Sequence, residues 1–317
     1  MFSNLRIENF KSFDKLELGN LSRVNLFFGK NNCGKTTLLE AVFILSGMSN
    51  PALLHKCNQF RSFPLIQDVS LFFHGLKTEN DITFLSDSDV PFFERKLNIC
   101  YQKKNVKEIS STEKTSAKSS DTSIPQIDEL LFEGFVNGVD GQQENINAGI
   151  KIREEKNNER ITFSLHGKYV EKIKCSYYSP SISLETIIPN VLKIFSNKQE
   201  TIVTDALRKI DERINDFILV DNIIMVDVGY EKRIPINLLG DGVRKFFTLV
   251  IAMYAVKDGV LLVDEIDNGL HFSTMEKFWQ VLLETAELFN VQLFATTHNI
   301  DSLKGLNAIL SQEKYSA

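Results

Sequence analysis

Eight consecutive residues, Gly29-Lys30-Asn31-Asn32-Cys33-Gly34-Lys35-Thr36, have the spacing of a phosphate-cradling turn, G-x-x-x-x-G-K-[ST]. Glycines let the backbone curl until its N–H groups converge on phosphate oxygens. A helix that starts there adds the positive end of its dipole. Lys35 would reach the outer phosphates and the Thr36 hydroxyl would bind Mg²⁺. The expected ATP contacts are therefore Gly29, Asn31, Asn32, Cys33, Gly34, Lys35, Thr36 and Thr37. Cys33 is open to two readings, a tolerated small side chain or a redox switch.

Further along, Val260-Leu261-Leu262-Val263 runs straight into Asp264-Glu265. A buried strand that ends in two acids delivers both carboxylates to the C-terminal edge of a sheet, where open α/β sheets bind ligands. There Asp264 would hold the Mg²⁺, directly or through water. Glu265 would act as general base on the attacking water. Phe294-Ala295-Thr296-Thr297-His298 ends the next apolar run, which brings His298 to the same edge. A histidine there can hydrogen-bond a γ-phosphate and orient the water.

Two more stretches bear on assembly. Gly240, Asp241 and Gly242 stand at the expected start of an apolar helix and form a second phosphate-binding surface. One chain already holds ATP on its own loop, so this surface is expected to contact ATP held by another copy, in a symmetric dimer. Asp267-Asn268-Gly269-Leu270-His271 suits either a turn at a subunit interface or an ordinary strand-to-helix loop. Gln67 is the candidate for linking Mg²⁺ to an inserted region, or else an ordinary surface glutamine.

These groups need elements to hold them. Residues 5–10 and 16–18 read as a hairpin, and 23–28 as a short buried strand leading into the phosphate loop. Residues 36–46 read as a helix, with Gly47 as its C-cap. Residues 49–183 change character: short alternating segments such as 81–84 and 161–165 predict antiparallel strands. Within them, 102–123 is rich in Lys, Ser and Thr and predicts a mobile loop, its lysines either a solvated tip or a nucleic-acid contact. One or two helices are expected over 184–210. A helix over 239–256 is expected to carry Val243, Phe246, Phe247, Val250, Met253 and Tyr254 on one face. Then come a buried strand at 259–264 and a helix over 273–289 opened by a Ser273–Glu276 capping box. A strand at 291–295 and a helix at 302–310 complete the pattern. The predicted fold class is α/β, with a P-loop nucleoside-triphosphatase core over 1–48 and 205–317 and an inserted β-rich and helical region over 49–204.

Composition sets limits. With 317 residues, 43% of them apolar, the chain can bury one large core or two small ones. A net charge of −5 argues against a general pull toward nucleic acid. Cys33, Cys57, Cys100 and Cys175 form no C-x-x-C pair, so a reduced, cytoplasmic protein is expected. No apolar run approaches the roughly 18 residues of a membrane span, so none is expected; residues 1–6 lack the basic and long apolar stretches of a signal peptide, so none is expected there.

In the order of these blocks the chain resembles the ABC/SMC-like ATPases of the AAA family, more narrowly the OLD-type branch. The carriers are Leu5-Arg6-Ile7-Glu8-Asn9-Phe10-Lys11-Ser12-Phe13, the loop with Leu38-Leu39-Glu40-Ala41, Asp264 to His271, and Gln292 to His298. The resemblance covers about 1–48 and 205–303. It implies an ABC-type ATPase head with an antiparallel β subdomain, a homodimer or higher oligomer closed by ATP, and turnover of ATP to ADP and phosphate. It also implies a role in anti-phage defence, as in Septu-type systems, with a separate effector such as a nuclease. The chain stops about twenty residues past His298, so no Toprim nuclease domain is expected within it. Gly240-Asp241-Gly242 lacks the serine of the usual signature, and Asn299 stands where serine is commoner. The alternative reading is a DNA-repair ATPase of the RecF or SMC-head kind that binds DNA directly; the acidic charge and the absence of heptads weigh against it.

Overall fold

A computed structural model describes residues 1–61, 68–89, 92–105, 126–138, 142–155, 158–166, 169–179 and 184–312. Gln67 and most of the expected loop at 102–123 lie outside these residues. The start of that stretch does not: residues 102–105 are the end of a strand. The chain forms two compact units, one of residues 22–39 and 173–317 with Met1, the other of residues 2–21 and 40–172. These divisions differ from the expected boundaries near 48 and 205.

The first unit is built on four parallel strands. They are β3 (Val24–Phe28), β9 (Cys175–Tyr178), β13 (Val260–Val263) and β14 (Gln292–Thr297), in the spatial order β3-β14-β13-β9. Register pairs Thr297 with Phe28, Val263 with Ala295, and Val263 with Tyr178, so all four strands end on one edge. The inner pair β13 and β14 is buried at every residue, as a sheet covered on both faces requires. The sequence reads β3 as buried too, yet it is only half-buried and Phe28 is 48% exposed. Its position at the edge of the four-stranded order explains this.

Helices cover this sheet. They are α3 (Ile188–Ser196), α4 (Glu200–Ile210), α5 (Asp241–Ala255), α6 (Met275–Leu288) and α7 (Ile300–Leu310). A three-stranded antiparallel sheet of β10 (Asp216–Val220), β11 (Ile223–Asp227) and β12 (Ile234–Pro235) adds to the same core. Helix α5 departs from expectation by being buried all round from Phe246 to Met253, not on one face. It begins at Asp241, capped by Gly240, two residues later than predicted. The Ser273–Glu276 capping box does not form. A short 3₁₀ turn, Phe272–Thr274, comes first, and the His271 ring accepts from the Ser273 N–H. Asn299 caps α7, its side chain accepting from the Asp301 N–H at 2.9 Å.

The second unit is a seven-stranded antiparallel sheet, in the order β2-β1-β4-β5-β6-β7-β8. Its strands are β1 (Asn4–Phe10), β2 (Phe13–Leu18), β4 (Ile82–Asp89), β5 (Phe92–Asn105), β6 (Gln126–Asn137), β7 (Gln143–Glu155) and β8 (Asn158–His166). Alternation puts Leu5 and Ile7, Ile82 and Phe84, Leu97 and Ile99, and Ile146, Ala148 and Ile150 inside. Helix α2 (Ala52–Phe60) belongs to this unit. Helix α1 (Lys35–Ser46) carries the division between Leu39 and Glu40. Gly47 follows α1 without a left-handed φ. A Cβ there would overlap the Leu53 side chain, so close packing accounts for this glycine. Among the described residues no helix is long and apolar enough to cross a membrane.

Candidate active site

The parallel register brings four chain ends to one edge of the first unit. The loop after β3 is the phosphate loop. Asn32 and Gly34 take positive φ (64° and 93°), which curls the backbone as the glycine spacing predicts. Gly29 serves closeness, because a Cβ there would come 2.9 Å from Cys33 Sγ. Residues Lys30 to Cys33 are exposed, and α1 starts at Lys35. The Lys35 ammonium lies over the loop, donating to the carbonyls of Gly29 at 2.8 Å and Lys30 at 2.7 Å. Thr37 is buried.

Asp264 is the hub. Its Oδ2 accepts from the Thr36 hydroxyl at 2.9 Å and from Tyr177 Oη at 3.3 Å, and its Oδ1 accepts from the Thr296 hydroxyl. Thr36 and Asp264 would hold Mg²⁺. The Thr36 hydroxyl oxygen and the Asp264 carboxylate oxygen lie side by side, 2.9 Å apart, beside the phosphate loop. The donor set, a hydroxyl and a carboxylate, is the hard-oxygen kind that Mg²⁺ prefers.

Glu265 follows with φ at 51°, sparsely populated for a residue with a Cβ. Three hydrogen bonds hold its main chain there. Its N–H donates to Thr296 Oγ1 at 2.9 Å, and its carbonyl accepts from Lys245 Nζ at 2.9 Å and from the Asn268 N–H at 3.1 Å. The carboxylate is left exposed and reaches within 4.0 Å of His298 Nδ1, which is also exposed. Burial pushes the Lys245 ammonium down to about 8, with Asp267 and Glu265 opposing the shift.

Gly240, Asp241 and Gly242 do not join this cluster. They stand at the exposed start of α5, where Asp241 pairs with Arg244 at 2.7 Å. There they meet the turn after the acid pair: a Cβ on Gly242 would lie 3.3 Å from Leu270, and one on Gly269 would lie 3.8 Å from Asp241. A cleft of about 460 Å³ opens between them, lined also by His271, Arg213 and Lys277. Sequence reasoning assigned no role to Tyr177, Thr296 or Lys245. Thr296 and Lys245 sit inside stretches it singled out, which is the signal they offered. Tyr177 lies in a four-residue strand with no periodic signal of its own.

A curled glycine loop opening a helix, with a threonine and an aspartate converging at the C-terminal edge of a parallel sheet, defines a P-loop nucleoside triphosphatase of the α/β class. The chain belongs to the family described as "AAA domain, putative AbiEii toxin, Type IV TA system", whose model matches residues 145–303, half of the chain. A second model, described as an AAA ATPase domain, matches residues 1–147. The chain is thus an AAA-family ATPase that hydrolyses ATP. It is 26% identical, over 100% of its length and 90% of the relative's, to an ATP/GTP phosphatase of Helicobacter pylori. It is 41% identical over 70 residues to the DNA replication and repair protein RecF of Bacteroides thetaiotaomicron, which covers 21% of this chain and 19% of that one. The solved SMC head domain from Thermotoga maritima is similar over 96% of this chain and 91% of that one, with 13% identity and a TM-score of 0.46.

Proposed function

We propose that hydrolysis runs on Glu265 as general base, with His298 orienting the water and the γ-phosphate, on ATP seated in the loop from Gly29 to Thr37. The observation that carries this is the convergence on one sheet edge of Lys35, Thr36 and Asp264 with the exposed pair Glu265 and His298. Backbone N–H groups of the loop and the α1 dipole would bind the phosphate oxygens. To receive them, Lys35 exchanges its two loop carbonyls for outer phosphate oxygens. Mg²⁺, when held by Thr36 and Asp264, would neutralise charge on the β- and γ-oxygens. Glu265 takes a proton from the water as the water oxygen bonds to the γ-phosphorus. The bond from that phosphorus to the bridging oxygen breaks, and ADP departs with that oxygen's electron pair. The hydrogen bonds on Asp264 keep its carboxylate aimed at the Thr36 hydroxyl, and Thr296 ties it to the main chain of Glu265.

The exposed start of α5 supports a second half of the reading. Gly240, Asp241 and Gly242 would contact the ATP of another copy, so that ATP closes a head-to-tail dimer. In that arrangement the chain is an ATP-gated regulator of a separate effector, such as a nuclease, in an OLD-type defence setting. The family description, with its toxin and toxin–antitoxin wording, supports that class of role. The short likeness to RecF favours a second reading, direct DNA binding in repair.

The test is Glu265→Gln. Loss of general-base catalysis lowers turnover by on the order of 10²–10⁴-fold. Phosphate release should fall by that much while nucleotide binding, followed with a fluorescent ATP analogue, stays intact. Wild-type turnover in this variant would remove Glu265 from the mechanism.

A further inference from the structure

Lys245 lies one helical turn beyond Gly240 and Gly242, on the same α5. Its ammonium donates to two carbonyls of the turn after the acid pair, Glu265 O at 2.9 Å and Asn268 O at 2.8 Å. Both carbonyls belong to the turn that also packs on Gly242 through Leu270. The carboxylate of Asp267, in the middle of that turn, is buried, and its Oδ1 has no hydrogen-bond partner. The Lys245 ammonium therefore supplies the turn with a positive charge as well as two donors.

The group that needs holding is Glu265. With a left-handed φ, its backbone is in a region a Cβ disfavours, and it stays there only when its neighbours over-determine it. Thr296 fixes the N–H side, and Lys245 together with the Asn268 N–H fixes the carbonyl side. Without the ammonium, the carbonyl keeps only the Asn268 N–H, and Asn268 O loses its own tie to α5; the loosened turn lets the peptide relax toward ordinary φ, which swings the carboxylate. Lys245 stands on α5, outside the phosphate loop, and bonds the main chain of Glu265, so its effect on the rate passes through the base.

We propose that Lys245 is a positioning residue for hydrolysis, tying the main chain of Glu265 to the helix whose start bears Gly240, Asp241 and Gly242. A contact made at the start of that helix is thereby felt at the carboxylate. The inference rests on the reading of Glu265 as general base.

Four full-length proteins decide it: wild type, Lys245→Met, Glu265→Gln and the double variant, assayed by single-turnover phosphate release and by binding of a fluorescent ATP analogue. Lys245→Met keeps an unbranched side chain as long as the lysine stem and removes the ammonium with both of its hydrogen bonds. The expected result is a loss of about tenfold or more in rate with analogue affinity within about threefold of wild type. In the Glu265→Gln background the same change should cost less than about twofold, because two residues acting through one group are not additive. A full second loss in the double variant would make Lys245 a general structural pin and overturn the proposal. So would a wild-type rate in Lys245→Met beside an inactive Glu265→Gln. An active Glu265→Gln would overturn the base assignment itself, and the coupling with it. If Lys245→Met does not fold, Lys245→Gln, which loses the charge and at least one of the two bonds, carries the same comparison.

Discussion

Thr296 shows how one hydroxyl can set two functional groups at once. It donates to the Asp264 carboxylate and accepts from the Glu265 N–H, and it is fully buried. Valine has nearly the same shape and neither capability. Thr296→Val would leave the Glu265 N–H without its partner and Asp264 short of one donor. Leaving a buried polar group unsatisfied costs about 1–3 kcal/mol. We expect an unfolding free energy, measured by urea titration, lowered by that amount, together with reduced phosphate release. A change below about 0.5 kcal/mol, the range of neutral surface substitutions, would show that the backbone holds Glu265 without it. The sequence placed Thr296 beside His298 but offered no way to see its second bond. That bond crosses from β14 to the residue after β13, and it depends on the two strands being neighbours.

Among the elements, close approach explains more of the glycines than turn geometry does. Gly259 precedes β13, and its Cβ would overlap the Lys174 carbonyl oxygen and come 2.9 Å from the Val256 carbonyl oxygen. The next residue, Val260, donates its N–H to that same Lys174 carbonyl at 2.8 Å. Gly259→Ala must therefore push β13 away from the chain entering β9. Overpacking of this kind costs about 1–3 kcal/mol, and more where backbone must move. The expected outcome is a lowered thermal midpoint with weakened activity, since Asp264 and Tyr177 hang on those two strands; a midpoint equal to wild type would mean the segment shifts freely. The helices and strands that the periodicity predicted are present, with shifted ends. The starts of α5 and α6 fall two residues later than the pattern predicts, because caps are settled by which turn packs before them. The burial of β3 differs from expectation because a short, mostly apolar run does not record whether its strand lies at the edge or in the middle of a sheet. The resemblance blocks also meet within the second unit: Lys11 from the opening block pairs at 3.0 Å with the fully buried Glu40 of the Leu-Leu-Glu-Ala block, and Arg61 completes the pairing at 2.6 Å. A buried carboxylate kept charged needs such partners.

At the scale of the whole molecule, the proposed dimer makes the sharpest demand. A single chain places Lys35, Thr36, Asp264, Glu265 and His298 at one edge and leaves Gly240 and Asp241 exposed at the start of α5. If ATP joins two copies, a variant that binds without hydrolysing should trap the pair. Light scattering on a sizing column should show the mass of Glu265→Gln doubling when Mg·ATP is added. Bound ATP with the monomer mass unchanged would refute the head-to-tail sandwich and leave the start of α5 without a nucleotide role. A double mass already present without nucleotide would mean that assembly does not depend on ATP.

What the sequence determined by itself is what lies within a single turn or strand: the phosphate loop from Gly29 to Thr36, the strand that delivers Asp264 and Glu265, and the apolar run that leads to His298. Spacing encodes these directly, because curl, dipole and strand exit are local properties of the backbone. Tertiary structure alone decided which of them touch. Thr36 and Asp264 are 228 residues apart in the chain, Tyr177 and Asp264 are 87, and Lys245 and Glu265 are 20. Each of these contacts depends on strand order or on the placing of α5, which no local pattern records. The hold on Glu265 depends on both, and for that reason only the folded chain reveals it.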